Sequence, residues 1–270
     1  MKSALPSASI FEAMFRTTFV LLVLTALSAC DSAESPDERT EITLLAAYTP
    51  AAAAAAAGNI ERLIWKSIDD TNEAYENSRI PIRLVLARSV VVDYKLTERI
   101  EDLRRLVRND DGHLDSIHAI RDAFEADIVI FIVEERGPTI NAAVMADAST
   151  AFAVVHYGTL GAPDFALAHE LGHLQGARHT PDSDPNPDPF PFGHAFRNDS
   201  IKTIMSTGGQ QVLPYFSGPD QLYEGVVLGD STLRNAAEAL RLTAVYISNF
   251  QGQQTPTEFV PARTWPTTSY

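Results

Sequence analysis

Apolar positions change their period several times along the chain, and each change marks an element. Residues 41–48, "EITLLAAY", predict a strand. After Thr49-Pro50 the spacing becomes helical over 51–77. The alanines at 51–57 are strong helix formers, and Ile60, Leu63, Ile64, Ile68 and Tyr75 then recur at the intervals of one helix face. Pro81 ends that pattern, and the β-branched stretch 82–94 predicts a second strand. Two amphipathic helices are expected over 96–108 and 112–125, with "NDDG" between them. The unbroken apolar run 127–133 has the pattern of a buried parallel strand, and 151–157 predicts a further strand. A helix begins near Pro163-Asp164, and the proline-rich stretch 180–191 cannot be regular. The last long helix covers 231–249, and no pattern holds in 250–270, which reads as a flexible tail. Strands alternating with helices predict one α/β (α+β) domain over 41–249, without internal repeat or linker.

Composition changes the picture at the N-terminus. The chain has 270 residues, a formal net charge of −14 and one cysteine, Cys30. The acidity argues against nucleic-acid partners, and a lone cysteine excludes an internal disulfide. Residues 17–29 are an uncharged apolar run bounded by Arg16 and Cys30. That run is short for a membrane span, which needs roughly 20 apolar residues, and has the length of a signal-peptide core. Leu27-Ser28-Ala29-Cys30 resembles the lipobox of bacterial lipoproteins. The resemblance implies a signal peptide over 1–29, lipidation of Cys30, and a polar tether over 30–40. The chain is then exported and held on a bacterial membrane, periplasmic or at the cell surface. A soluble secreted protein is the alternative. Met14 stands just before Arg16 as a second possible start.

The chemistry concentrates in "FALAHELGHLQGARHT", residues 165–180, where His169, His173 and His179 fall within eleven residues. Residues four apart share a helix face, so His169 and His173 would point the same way. Imidazole nitrogens suit Zn²⁺. Glu170 is rotated from His169 by about 100°, beside a metal rather than on it, where it can take a proton from water. Gly176 can adopt positive φ and end the helix. The chain then turns back, and His179 supplies the third ligand. A fourth position left to water marks a catalytic site.

His169-Glu170-x-x-His173-x-x-Gly176-x-x-His179 resembles the signature of metzincin zinc proteases. "TIMST" at 203–207 looks like the methionine turn of that family, with Met205 beneath the metal. "AYTPAAAAAA", "DDTNEAYENSRIPIRLVLA" and "LPYFSGPD" are similar to the bacterial reprolysin-like group that includes peptidyl-Asp metalloendopeptidases. The resemblance implies a zincin-like fold. Its twisted, mostly parallel sheet carries an antiparallel edge strand, an active-site helix and a smaller C-terminal subdomain with the Met-turn. It implies a zinc-dependent endopeptidase, with Glu170 as catalytic base and His169, His173 and His179 as ligands of one zinc. Extended substrate would pair with a strand edge, for which 141–156 are the candidates, and 211–217 would wall the pocket after the scissile bond. The sequence departs from relatives at Thr180, where adamalysin-type enzymes carry Asp, and at Thr207, where astacins and serralysins carry Tyr.

The expected partners are a polypeptide substrate and, through Cys30, a membrane; the chain is expected to be a monomer. Which residues bind substrate is not legible. Arg136, Arg178, Arg197 and Lys202 could each meet an acidic side chain. Asp182, Asp184, Asn186 and Asp188 alternate like the start of a calcium loop, but Pro187 stands where such a loop needs glycine. His113 and His118 read as surface or capping residues, His156 as structural, and His194 as able to reach the cleft. A zinc amidase acting on cell-wall peptides and a silent binding lipoprotein are the alternative functions. The intact Glu170 argues against the second.

Overall fold

A computed structural model describes residues 39–97, 99–135, 140–141 and 145–251. Five strands form the main sheet: β1 (Thr40–Tyr48), β2 (Ile82–Val91), β3 (Ile128–Val133), β4 (Ile140–Asn141) and β5 (Phe152–His156). Their order is β2-β1-β3-β5-β4, and every pairing is parallel except that of β4 with β5. Among the described residues six α-helices accompany them: α1 (Pro50–Ala55), α2 (Ile60–Asn77), α3 (Arg99–Val107), α4 (Asp115–Ala123), α5 (Ala166–Leu174) and α6 (Ala236–Ile247). This is the expected mixed, mostly parallel α/β architecture with an antiparallel edge.

Burial on both faces explains why β3 and the Leu44–Ala47 stretch of β1 are apolar without a break. Ile42, Leu44 and Ala46, with Ile128, Ile130 and Ile132, join the core built with α2, α5 and α6. Leu45 and Ala47, with Val129, Phe131 and Val133, join a second core with Leu103, Leu106 and Ile117 of α3 and α4. Helices cover both faces, so neither set of alternating side chains meets water.

Several boundaries differ from the sequence reading. The helix expected over 51–77 is two helices. Ala57 and Gly58 take φ of 51° and 77°, conformations that break a helix, and α2 restarts at Ile60. The last helix starts later than expected because the Asp230 side chain first holds a turn through the amides of Thr232 and Leu233. Asn235 then caps α6 by accepting from Glu238 N. The edge is β4 rather than the whole of 141–156: β5 inside that range is bonded to β3 on one side and β4 on the other.

Beyond α5 the chain is mostly irregular, with short strands β6 (Ile201–Lys202), β7 (Gln211–Val212), β8 (Leu222–Tyr223) and β9 (Val226–Val227). β6 pairs with β7 in parallel and β8 with β9 antiparallel. Ser78, at the end of α2, anchors this part. Its hydroxyl accepts from Phe216 N at 2.8 Å and its carbonyl accepts from Gln221 Nε2 at 2.9 Å. Residues 17–29, Cys30, Arg136 and 252–270 lie outside the described residues. Among the described residues no helix is long and apolar enough to cross a membrane.

Candidate metal centre

Helix α5 presents His169 and His173 from consecutive turns, and its C-terminal turn delivers His179. Gly176 sits at φ 90°. Its N–H bonds His173 O at 2.9 Å, and the N–H of Ala177 bonds Gly172 O at 2.9 Å, the paired closure of a Schellman turn. A side chain at Gly176 would meet Phe190 at 2.8 Å and Pro189 at 3.0 Å. Glycine therefore serves both the conformation and the close approach of the 189–190 loop.

The three Nε2 atoms lie 3.1 Å (His169–His173), 3.0 Å (His173–His179) and 3.2 Å (His169–His179) apart. Two of the rings cannot donate through Nε2. His169 Nδ1 donates to Ile204 O at 2.8 Å and His173 Nδ1 to Ala177 O at 2.9 Å. A carbonyl only accepts, so the proton of each neutral ring sits on Nδ1 and the Nε2 lone pair faces inward. Burial, the leading cause, pushes His169 down to about 4, His173 well below its ordinary value, and lowers His179. Three neutral imidazoles with converging lone pairs repel one another unless a cation stands between them. Tetrahedral zinc with Zn–N of about 2.0–2.1 Å sets nitrogens roughly 3.3 Å apart, close to the spacing seen. The donor set thus fits zinc, and among the described residues it is the group of metal-ligating side chains that converges.

Glu170 is 2% exposed. Its Oε2 is buried with no hydrogen-bond partner, and burial pushes its carboxyl up to about 8. Met205 is fully buried in a turn closed by Ser206 N on Thr203 O at 2.9 Å. It lies against α5 at Gly172, where a Cβ would stand 2.2 Å from the methionine sulfur. The residue before it, Ile204, offers the carbonyl that holds His169. Phe216 backs the methionine and stacks on Tyr75 at 5.7 Å.

His194, expected from sequence to reach the cleft, has instead a supporting role that the sequence reading missed. His194 is buried, and its Nδ1 donates to His179 O at 2.9 Å. Its own carbonyl accepts from Ser217 Oγ at 2.6 Å, and that hydroxyl accepts from Ala236 N at 3.1 Å. The loop bearing His179 is thereby tied to the start of α6. Nothing in the spacing of His194 signals this; the only hint was a histidine beyond the three of the motif.

The other candidates are placed elsewhere. His118 donates from Nε2 to Leu106 O at 2.9 Å and rests on Phe152, in the second core. His113 is exposed, and His156 Nδ1 accepts from Gly158 N at 3.1 Å. Thr180 is buried, its hydroxyl 2.9 Å from that of Ser183, and Thr207 is exposed. Asp182 pairs with Arg197, and Asp184 with Arg178 at 3.0 Å, so these two acids face arginines.

Residues 38–217 match the reprolysin-type family model described as metallo-peptidase family M12. The chain is 33% identical over 216 residues to a peptidyl-Asp metalloendopeptidase of Xanthomonas campestris pv. campestris, covering 78% of this chain and 52% of that protein. It is 33% identical over 220 residues to one of Stenotrophomonas maltophilia strain R551-3, with the same coverage. The chain thus spans about half the length of these relatives. A solved structure described as that of a chaperone-substrate complex superposes with a TM-score of 0.63 at 20% identity. It covers 79% of this chain and 36% of the other, a likeness of fold.

Proposed function

The chain belongs to metallo-peptidase family M12, and on that premise we propose that it is a zinc-dependent endopeptidase of the metzincin type. The observation that carries the proposal is the meeting of three converging imidazole nitrogens, two with lone pairs fixed inward, with a buried carboxyl whose Oε2 has no partner. His169, His173 and His179 would hold the metal. A zinc ion there supplies Lewis acidity, polarising a peptide carbonyl and acidifying water toward a pKa of roughly 7.

The chain's own residues do the rest. Ile204 O and Ala177 O fix the two helical rings, so the ligand field is set before substrate arrives. Glu170 takes one proton from the attacking water as its oxygen bonds to the carbonyl carbon. It returns that proton to the amine nitrogen as the C–N bond breaks. A carboxyl whose proton affinity is raised by burial is suited to hold the proton between those two events. Met205, buried against Gly172 of α5, would give the site an apolar floor.

The relatives' name extends the proposal to bonds beside aspartate. Cys30 as a lipid attachment, export behind the 17–29 segment, and action as a monomer complete it, supported by the apolar run and the sole cysteine. Calcium is not included, because Asp182 and Asp184 are engaged by arginines.

The test is cut-site mapping on a denatured protein and on a cell-wall peptide, with elemental analysis of the same sample. One zinc per chain and chelator-sensitive cleavage of the denatured protein are expected. Glu170→Gln should retain zinc and lose roughly 10²–10⁴-fold in rate. Cleavage confined to the cell-wall peptide, or normal turnover by Glu170→Gln, refutes the assignment.

A further inference from the structure

The four basic residues that sequence alone could not rank are not equivalent in the fold. Arg178 is spent on Asp184 and on the carbonyl of Asp188. Arg197 is spent on Asp182 and the carbonyl of Thr207. Arg136 lies outside the described residues. Lys202 differs. It is only 8% exposed, its ammonium donates to the carbonyl of Gly208, and it forms no ion pair among the described residues. A part-buried ammonium held by a single carbonyl keeps unused donors, and no carboxylate among the described residues is in contact with its charge.

Its position links it to the metal centre. Lys202 ends β6, the strand before the turn of Thr203 to Ser206, and Gly208 follows that turn. The side chain therefore bridges the loop whose middle residue, Ile204, fixes His169. The charge of Lys202 reaches His169, adding to the burial that keeps that ring neutral. Around the ammonium, burial disfavours the charge, Asp164 favours it, and Arg197 opposes it. Asp164 lies just before α5, so the charge of Lys202 is felt at both ends of the segment that frames the histidines, by Asp164 and by His169.

We infer that Lys202 is the specificity-determining residue, its ammonium receiving the carboxylate of a substrate aspartyl residue beside the bond cleaved. The inference rests on the endopeptidase reading above. An incoming carboxylate supplies a counter-charge in contact, which Asp164 acting at a distance does not, whereas an asparagine in its place supplies none. Arg178 and Arg197 each already have one carboxylate and gain less from a second.

The experiment uses the full zinc-loaded chain and two peptides that differ only in one Asp or Asn. Hydrolysis is read as kcat/KM, and binding is read calorimetrically on Glu170→Gln protein, where turnover is suppressed. Wild type should favour the Asp peptide by roughly 10–100-fold in both readouts. Lys202→Met should bring both ratios toward one. Lys202→Gln, which keeps a donor for Gly208 without the charge, should do the same, while Lys202→Arg should keep part of the preference. A ratio unchanged in Lys202→Gln, even with both rates reduced, makes Lys202 a structural tie and overturns the inference. So does a wild type without preference that still hydrolyses both peptides, which leaves the endopeptidase reading standing. Selective, Lys202-dependent binding without hydrolysis of either peptide supports the inference and removes that reading instead.

Discussion

Gly172→Ala tests whether the methionine turn is seated on the active-site helix for the sake of the metal. The added Cβ would lie 2.2 Å from Met205 Sδ and 3.1 Å from Phe216 Cε1. Ordinary nonbonded contact is about 3.5–4.0 Å, so the sulfur must retreat by roughly 1.5 Å. Met205 and Phe216 are fully buried, and Tyr75 is stacked behind Phe216, so no open space receives the displaced atoms. Such overpacking costs about 1–3 kcal/mol. Alanine recovers about 0.8–1 kcal/mol of helix propensity over glycine. The net loss should fall at about 0–2 kcal/mol, at about 2–4 °C of Tm per kcal/mol for a domain of this size. The displacement also moves Ile204, whose carbonyl holds His169, so zinc affinity should fall by roughly 10–100-fold. Thermal melts of the metal-free protein read the first effect, and competition with a chromophoric chelator reads the second. Met205→Ala alone opens a cavity at about 2–5 kcal/mol. In the double variant the alanine has space, so the two losses should fall short of additivity by about 1 kcal/mol or more. A Gly172→Ala protein more stable than wild type with unaltered zinc affinity, or strictly additive losses, would refute the reasoning.

Two further substitutions probe how His179 is held. His194→Ala removes one of two donors to the His179 carbonyl, the other being Ala195 N at 3.4 Å, and should cost about 0.5–1.5 kcal/mol. It should also weaken zinc binding by roughly 10–100-fold; a stability loss with unchanged zinc affinity would reduce His194 to packing. Gly176→Ala should lower both stability and metal affinity, because φ of 90° and a 2.8 Å approach to Phe190 oppose any side chain there. Equal melting curves and equal chelator titrations would count against the turn as the device that delivers the third ligand.

What the sequence could convey depended on whether the responsible contacts were local. His169, His173, Gly176 and His179 were readable because a helix period and one turn suffice to bring them together. β3 was readable because burial on both faces leaves no polar position in its run. The break at Gly58 was not, since the alanines before it favour helix as strongly as the residues after it. Gly172 against Met205, and His194 beneath His179, join residues far apart in sequence, and no periodicity encodes such pairs. The ranking of Lys202 over Arg178 and Arg197 needed their partners, and those acids sit in loops whose course has no pattern.

The compactness of the ligand set along the chain bears on how the protein assembles. All three histidines fall within eleven residues, so an unfolded chain already carries a short chelating peptide. Binding to that peptide offsets part of the stabilisation that metal confers on the native state. The melting temperature should therefore rise less with zinc than native affinity alone implies. The same locality lets the ion join α5 to its turn before β6, α6 and the distant Ser217 are in place. Metal loading then acts as an early nucleating event, and a chain refolded without zinc must find the Schellman turn unaided.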